Sequence, residues 1–112
     1  MKEEYPVFCK WYGVLDQTFS VVERFPRWVR PTMGDHILGL SIEVIGHIVE
    51  AIYRPEQRLG KLEQINLELE KLRVLWRLCL ERKWLPFAQY EQLESGIEES
   101  GKMVGGWMKQ CR

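Results

Sequence analysis

The stretch EQRLGKLEQINLELEKLRVLWRLCLERK, Glu56 to Lys83, carries the strongest periodicity in the chain. Leu62, Ile65, Leu69, Leu72, Trp76 and Cys79 recur at alternating spacings of three and four, with Leu59 a turn earlier, so they share one face of an α-helix. Leu67, Val74, Leu75, Leu78 and Leu80 broaden that face well past a coiled-coil seam. A helix this apolar needs neighbours to cover it.

The flanking sequence supplies them. Toward the N-terminus, Pro55 ends a segment in which Met33, Ile37, Leu40, Val44, Ile48 and Ile52 form a second stripe, flanked by Leu38, Ile42, Ile45 and Val49. Its polar edge is His36, Glu43, His47, Glu50 and Arg54, and Gly39 and Gly46 near that edge are either close-approach positions or tolerated surface glycines. Earlier still, Phe8, Tyr12, Leu15, Phe19 and Val22 form a first stripe, widened by Trp11, Val14 and Val21. On the C-terminal side Pro86 is placed for the first turn of a last helix, along which Phe87, Tyr90, Leu93, Ile97, Val104, Trp107 and Met108 recur, while Gly96, Gly101, Gly105 and Gly106 thin it.

No alternating strand pattern competes, so the fold class expected is all-α: an up-down-up-down four-helix bundle. Residues 1–112 form one domain, with helices over about 7–24, 33–53, 57–83 and 86–109. The apolar faces of the first and third helices exceed what a monomeric core needs, which predicts a subunit interface as well.

Between the first two helices lies Phe25-Pro26-Arg27-Trp28-Val29-Arg30-Pro31-Thr32, preceded by Arg24. The two prolines are expected to stop a helix, Pro31 to bias Arg30 away from the α region, and Thr32 with Asp35 to cap a new helix beginning near Met33. This junction holds Arg24, Arg27, Arg30, Phe25 and Trp28 at one end of the molecule.

The whole chain is neutral, 16 basic residues against 16 acidic, so no global field draws it to nucleic acid or to an anionic membrane. Its charges are nevertheless uneven. Residues 56–84 hold seven basic groups against five acidic, and residues 32–55 one against three. The positive excess therefore sits in the junction and the third helix, where Arg58 and Lys61 lie near the start, Arg73 and Arg77 on one polar strip, and Arg82 and Lys83 at the end. The pairs Glu68 with Lys71 and Glu70 with Arg73 equally suit a salt-bridged surface, and Arg82 with Lys83 a helix dipole.

Three cysteines without a Cys-x-x-Cys pair suit a reducing compartment. Met1 to Pro6 is no signal peptide, and Glu43 and His47 interrupt the most apolar segment, so no membrane span and a cytoplasmic location are expected. Enzymatic chemistry finds little footing. Glu43, His47 and Glu50 share a helical edge, but no Glu-x-x-His occurs, and a four-helix carboxylate metal site needs that motif twice. Cys79 lies on a core stripe with no histidine near it in sequence, and no phosphate-cradling loop or nucleophile elbow appears. The chain reads as a non-enzyme with no cofactor and no metal.

Several segments carry a resemblance. Arg24-Phe25-Pro26-Arg27, then Thr32-Met33-Gly34-Asp35-His36-Ile37, Leu72-Arg73-Val74-Leu75-Trp76-Arg77-Leu78 and the closing Gly101-Lys102-Met103-Val104-Gly105-Gly106-Trp107-Met108-Lys109 resemble the accessory variability determinant of diversity-generating retroelements, from Val7 onward. Small proteins encoded in intervening sequences of bacterial large-subunit ribosomal RNA genes share the bundle and the Phe-Pro junction. The resemblance implies a homopentameric barrel without catalytic residues that associates with the retroelement's reverse transcriptase and template RNA in mutagenic retrohoming, and the reading adopted is a subunit that binds the reverse transcriptase and, more weakly, RNA or RNA–DNA hybrid. It matches Arg73 and Arg77 to the family's basic strip, and Arg24, Arg27 and Arg30 to its arginine-bearing junction. Trp28 suits either base stacking or a lid on the bundle end. The alternative is an interaction module whose arginines pair with acidic patches of a protein partner, without direct nucleic-acid binding.

Overall fold

The computed structural model describes residues 5–112. Four α-helices account for most of them: α1 (Pro6–Val22), α2 (Asp35–Tyr53), α3 (Arg58–Glu81) and α4 (Phe87–Cys111). Each packs on its neighbour in sequence and α4 closes on α1, giving a four-helix bundle 42 × 23 × 23 Å in extent with no strand among the described residues. The connections are short, so neighbours run antiparallel, and the α1–α2 and α3–α4 junctions share one end.

The α3 stripe is the core's spine. Leu62, Ile65, Leu69, Leu72, Trp76 and Cys79 are all buried, as their spacing predicts. The α2 stripe from Ile37 to Ile52 is buried too, Met33 only partly so. On α1 the phase differs from the expected one by one position. The buried series is Val7, Trp11, Val14, Thr18, Val21 and Val22, while Tyr12 and Phe19 are 63% and 46% exposed. Both series are apolar at helical spacing, and tertiary fit decides between them. Trp11 donates its indole N–H to the Ser41 carbonyl at 2.9 Å, and Val14 meets Gly96 of α4. Thr18 is buried because its hydroxyl donates to the Val14 carbonyl at 2.7 Å.

Helix boundaries depart from the sequence expectation chiefly at the junction. α1 ends at Val22, and a π-helical turn, Arg30–Gly34, leads directly into α2. Pro31 therefore begins the second helical segment where a stop was expected, and Arg30 is drawn into a helical turn. A proline at the start of a helix gives up an N–H that has no partner there anyway, and the wider π turn accommodates its ring. Thr32 does not cap. Its hydroxyl donates to the Val29 carbonyl at 3.1 Å, which also accepts from the Gly34 N–H at 3.0 Å. Phe25 and Val29, 1% and 0% exposed, pin this segment into the core.

At the far end Arg58 turns back on α2, donating from Nε to the Ala51 carbonyl at 2.6 Å and from Nη2 to that of Ile52 at 3.0 Å. These are carbonyls a helix end leaves without partners, so Arg58 caps α2 and lies over the Trp107 ring. Arg30–Tyr53 is long and apolar enough by composition to cross a membrane. Ile37, Val44 and Ile48 of this segment are fully buried in the bundle core.

Two glycines mark close approaches, and they are not Gly39 and Gly46. A Cβ on Gly96 would sit 2.5 Å from Val14 Cγ2 and one on Gly34 2.8 Å from Val22 Cγ1, whereas Gly39 and Gly46 face open space. Gly96→Ala should therefore lose stability in urea unfolding, overpacking of about 1–3 kcal/mol outweighing a helix-propensity gain of about 1 kcal/mol. Gly39→Ala and Gly46→Ala should each gain up to about 1 kcal/mol. Equal gains at all three would mean that α1 and α4 part without cost.

Candidate functional site

The junction end gathers rings and cations from the α1–α2 junction, the end of α3 and the α3–α4 turn. Phe25 reaches in between Trp76 and Trp84, its centroid 6.1 Å and 6.2 Å from theirs, and Trp28 stands on Trp84 at 87° and 5.8 Å. Phe25 and Trp76 are 1% exposed, and Trp28 is 67% exposed. Trp28 thus covers little of the bundle end.

Trp84 is delivered by the way α3 terminates. The Trp84 N–H donates to the Cys79 carbonyl and the Lys83 N–H to that of Leu80, both at 2.9 Å, which is a Schellman ending. Lys83 occupies its left-handed position at φ 63°, where glycine fits without strain. The turn sets the Arg82 guanidinium over the Trp84 ring, 5.7 Å from the centroid. No sequence signal marks it, because a lysine stands where glycine would have been the cue.

Arg24, Arg27, Arg30, Arg82 and Lys83 surround these rings, all exposed. None has a carboxylate partner among the described residues; Arg30 donates from Nε to the Phe25 carbonyl at 3.1 Å. Along the sides of the bundle several cations are paired, Lys71 being an exception among the described residues. Lys10 meets Glu99 at 2.6 Å and holds its carboxyl below the ordinary range by that hydrogen bond, and Lys61 meets Glu50 at 3.6 Å. Arg73 pairs with Glu70 and, at 3.5 Å, with Glu94 of α4, and Arg77 with Glu81 at 3.2 Å. Arg77 also faces Tyr90, whose phenol is raised by burial and by Glu94, against the opposing charge of Arg77. The sequence-predicted residues therefore fall into two groups. Arg24, Arg27, Arg30 and Trp28 come together with Arg82, Lys83 and Trp84, while Arg73 and Arg77 lie apart on the α3 flank with their charges compensated.

Elsewhere little chemistry is assembled. Glu68, expected on the surface beside Lys71, is 4% exposed and meets His47 Nδ1 at 2.9 Å. This hydrogen bond gives a buried polar group a partner that it would otherwise lack. No group of three or more metal-ligating side chains occurs among the described residues. Burial pushes the Cys79 thiol up to about 12, so it stays protonated and unreactive at neutral pH. A cleft of about 360 Å³ lies at the opposite end, lined by Tyr5, Val7, Met103 and Trp107 among others, with no charged side chain among its described lining residues.

A four-helix bundle with a basic, aromatic end and ion-paired flanks is a protein that acts through its surfaces. The sequence profile described as bAvd-like matches residues 7–111. The chain belongs to that family, the accessory variability determinants, which are accessory, non-catalytic proteins. No curated protein matches the chain.

Lys83→Gly should raise stability by up to about 1 kcal/mol, relieving a left-handed lysine at the cost of added chain entropy. Thermal and urea unfolding measure this. A loss would mean that the lysine side chain packs more than its exposure implies.

Proposed function

We propose that this protein is a non-catalytic, cytoplasmic accessory subunit of a diversity-generating retroelement. It binds the retroelement's reverse transcriptase and template RNA or RNA–DNA hybrid, supporting mutagenic retrohoming. Family membership over residues 7–111 carries this reading. Direct nucleic-acid contact is supported by Arg24, Arg27, Arg30, Arg82 and Lys83, exposed cations without carboxylate partners among the described residues. Such cations gain by releasing the counterions condensed on a phosphate backbone, whereas a paired arginine must first give up its acid. Arg73 and Arg77 form a second contact strip, weaker by that exchange. Their compensated charges also favour a second reading, in which this flank is the docking surface for the protein partner.

Affinity purification of the tagged protein with and without nuclease separates the contacts. The reverse transcriptase should remain after nuclease treatment, and the isolated protein should still bind RNA. With five phosphates engaged, that RNA affinity should fall about a hundredfold between about 50 and 200 mM salt. A flat salt dependence would remove the phosphate contacts.

Assembly as a homo-oligomer, a homopentamer by family resemblance, belongs to the same proposal. Phe8, Tyr12, Leu15 and Phe19 lie one position past the buried series of α1, and Leu38, Ile42, Ile45 and Val49 one position past that of α2. Lys10 and Gln17 face α4, and His47 and Glu50 face α3, so both apolar rows border the opposite flank, the α1–α2 seam. Leu67, Val74 and Leu78 expose a different apolar row on α3. A closed ring is built from two unlike patches per subunit. Tyr12→Glu with Phe19→Glu should reduce the mass in sedimentation to that of one chain while helical circular dichroism persists. An unchanged mass would place the interface elsewhere.

A further inference from the structure

We infer that the junction end is a site for unpaired nucleotides, in which a base stacks on Trp28 and its flanking phosphates lie on Arg24, Arg27 and Lys83. This rests on the nucleic-acid reading above and narrows it to single strands and to one end of the bundle.

Trp28 is the most conspicuous apolar group at this end. It is 67% exposed and stands on the partly buried Trp84, beneath which Phe25 and Trp76 are almost wholly buried. Its perpendicular contact with Trp84 fixes the indole without covering it, so a π face stays open to solvent. The support beneath is rigid: Trp84 is braced by Phe25 and by the Arg82 guanidinium, and Phe25 by Trp76. A ring already held in place has little freedom left to lose on stacking. Exposed rings on a basic surface are the parts from which single-strand platforms are made, since every base has a π face and stacking tolerates any sequence. A duplex keeps its base faces stacked on one another and gives Trp28 nothing to accept.

Charge and backbone agree with the ring. Arg27 directly precedes Trp28 and Arg24 lies three residues before that, neither with an ion pair among the described residues, and Lys83 precedes Trp84. Lys83 holds a left-handed conformation at φ 63° that glycine would occupy more easily. Strain of this kind gathers at functional positions, and here it falls on an exposed cation directly before Trp84. An acidic protein segment would satisfy the cations but would not need the open indole face.

The test uses the intact protein with labelled oligouridine of about twelve nucleotides and a blunt RNA duplex of equal length, followed by anisotropy and tryptophan fluorescence. Oligouridine should bind more tightly than duplex and quench fluorescence. Trp28→Ala should weaken oligouridine binding about five- to hundredfold, leave duplex binding within about twofold, and keep the melting temperature; Trp28→Phe should restore most of the loss. Lys83→Gly should weaken both ligands by a similar few-fold factor and flatten the salt dependence by about one phosphate contact. Trp28→Ala binding oligouridine like wild type, or duplex preferred over oligouridine, would overturn the stacking site while leaving nucleic-acid binding intact. Failure of wild type to bind either RNA at low salt would overturn the nucleic-acid reading itself.

Discussion

The ring of Phe25 ties the molecule's two halves together. It leaves the end of α1, enters the core, and lies against Trp76 of α3 and Trp84 of the α3–α4 turn. Truncating a buried phenylalanine costs about 3–5 kcal/mol, a large share of what a domain of this size has to lose. The contact also has a geometric consequence. Because one wedge holds both junctions, the arginines of the first are fixed beside Arg82 and Lys83 of the second, although more than fifty residues separate them in sequence.

Charge is then distributed by role. A neutral protein cannot attract a polyanion from a distance through its net field, but a bound phosphate responds to the few groups within about a Debye length of it. Several flank cations meet carboxylates: Lys10 with Glu99, Lys61 with Glu50, Arg73 with Glu70 and Glu94. Such exposed pairs contribute little to stability, about 0–1 kcal/mol each. Their larger effect is to compensate much of the charge on the sides, so that the junction end gathers five exposed cations without an ion pair among the described residues, against Lys71 alone on the α3 flank. In a ring of subunits every such end would be repeated, and contacts too weak singly would act together.

Much of the fold was legible because α3 and α2 each present one apolar series with polar residues between. On α1 two series run side by side, Val7-Trp11-Val14-Thr18 and Phe8-Tyr12-Leu15-Phe19, and the larger side chains favour the second. Nothing local says that Thr18 will satisfy its hydroxyl on its own helix or that Gly96 will receive Val14. Thr32 misled in the opposite sense. Its spacing to Asp35 suits a cap, but Pro31 had already opened the helix, leaving no free N–H for the hydroxyl to accept from. For the site, Arg24, Arg27, Arg30 and Trp28 stood out as a cluster around prolines. Arg82 and Lys83 had a sufficient explanation in the helix dipole, and Trp84 had no signal at all until α3 ended as it does. Which arginines lack a carboxylate is a tertiary property, so Arg73 and Arg77 looked as available as the rest.

Photo-crosslinking of 4-thiouridine RNA to the intact protein, with the linked peptides mapped by mass spectrometry, addresses the end-on site most directly. Cross-links concentrated at residues 24–30 and 82–84 are expected. Cross-links confined to the α3 flank around Arg73 and Arg77, with the junction peptides unmodified, would contradict it.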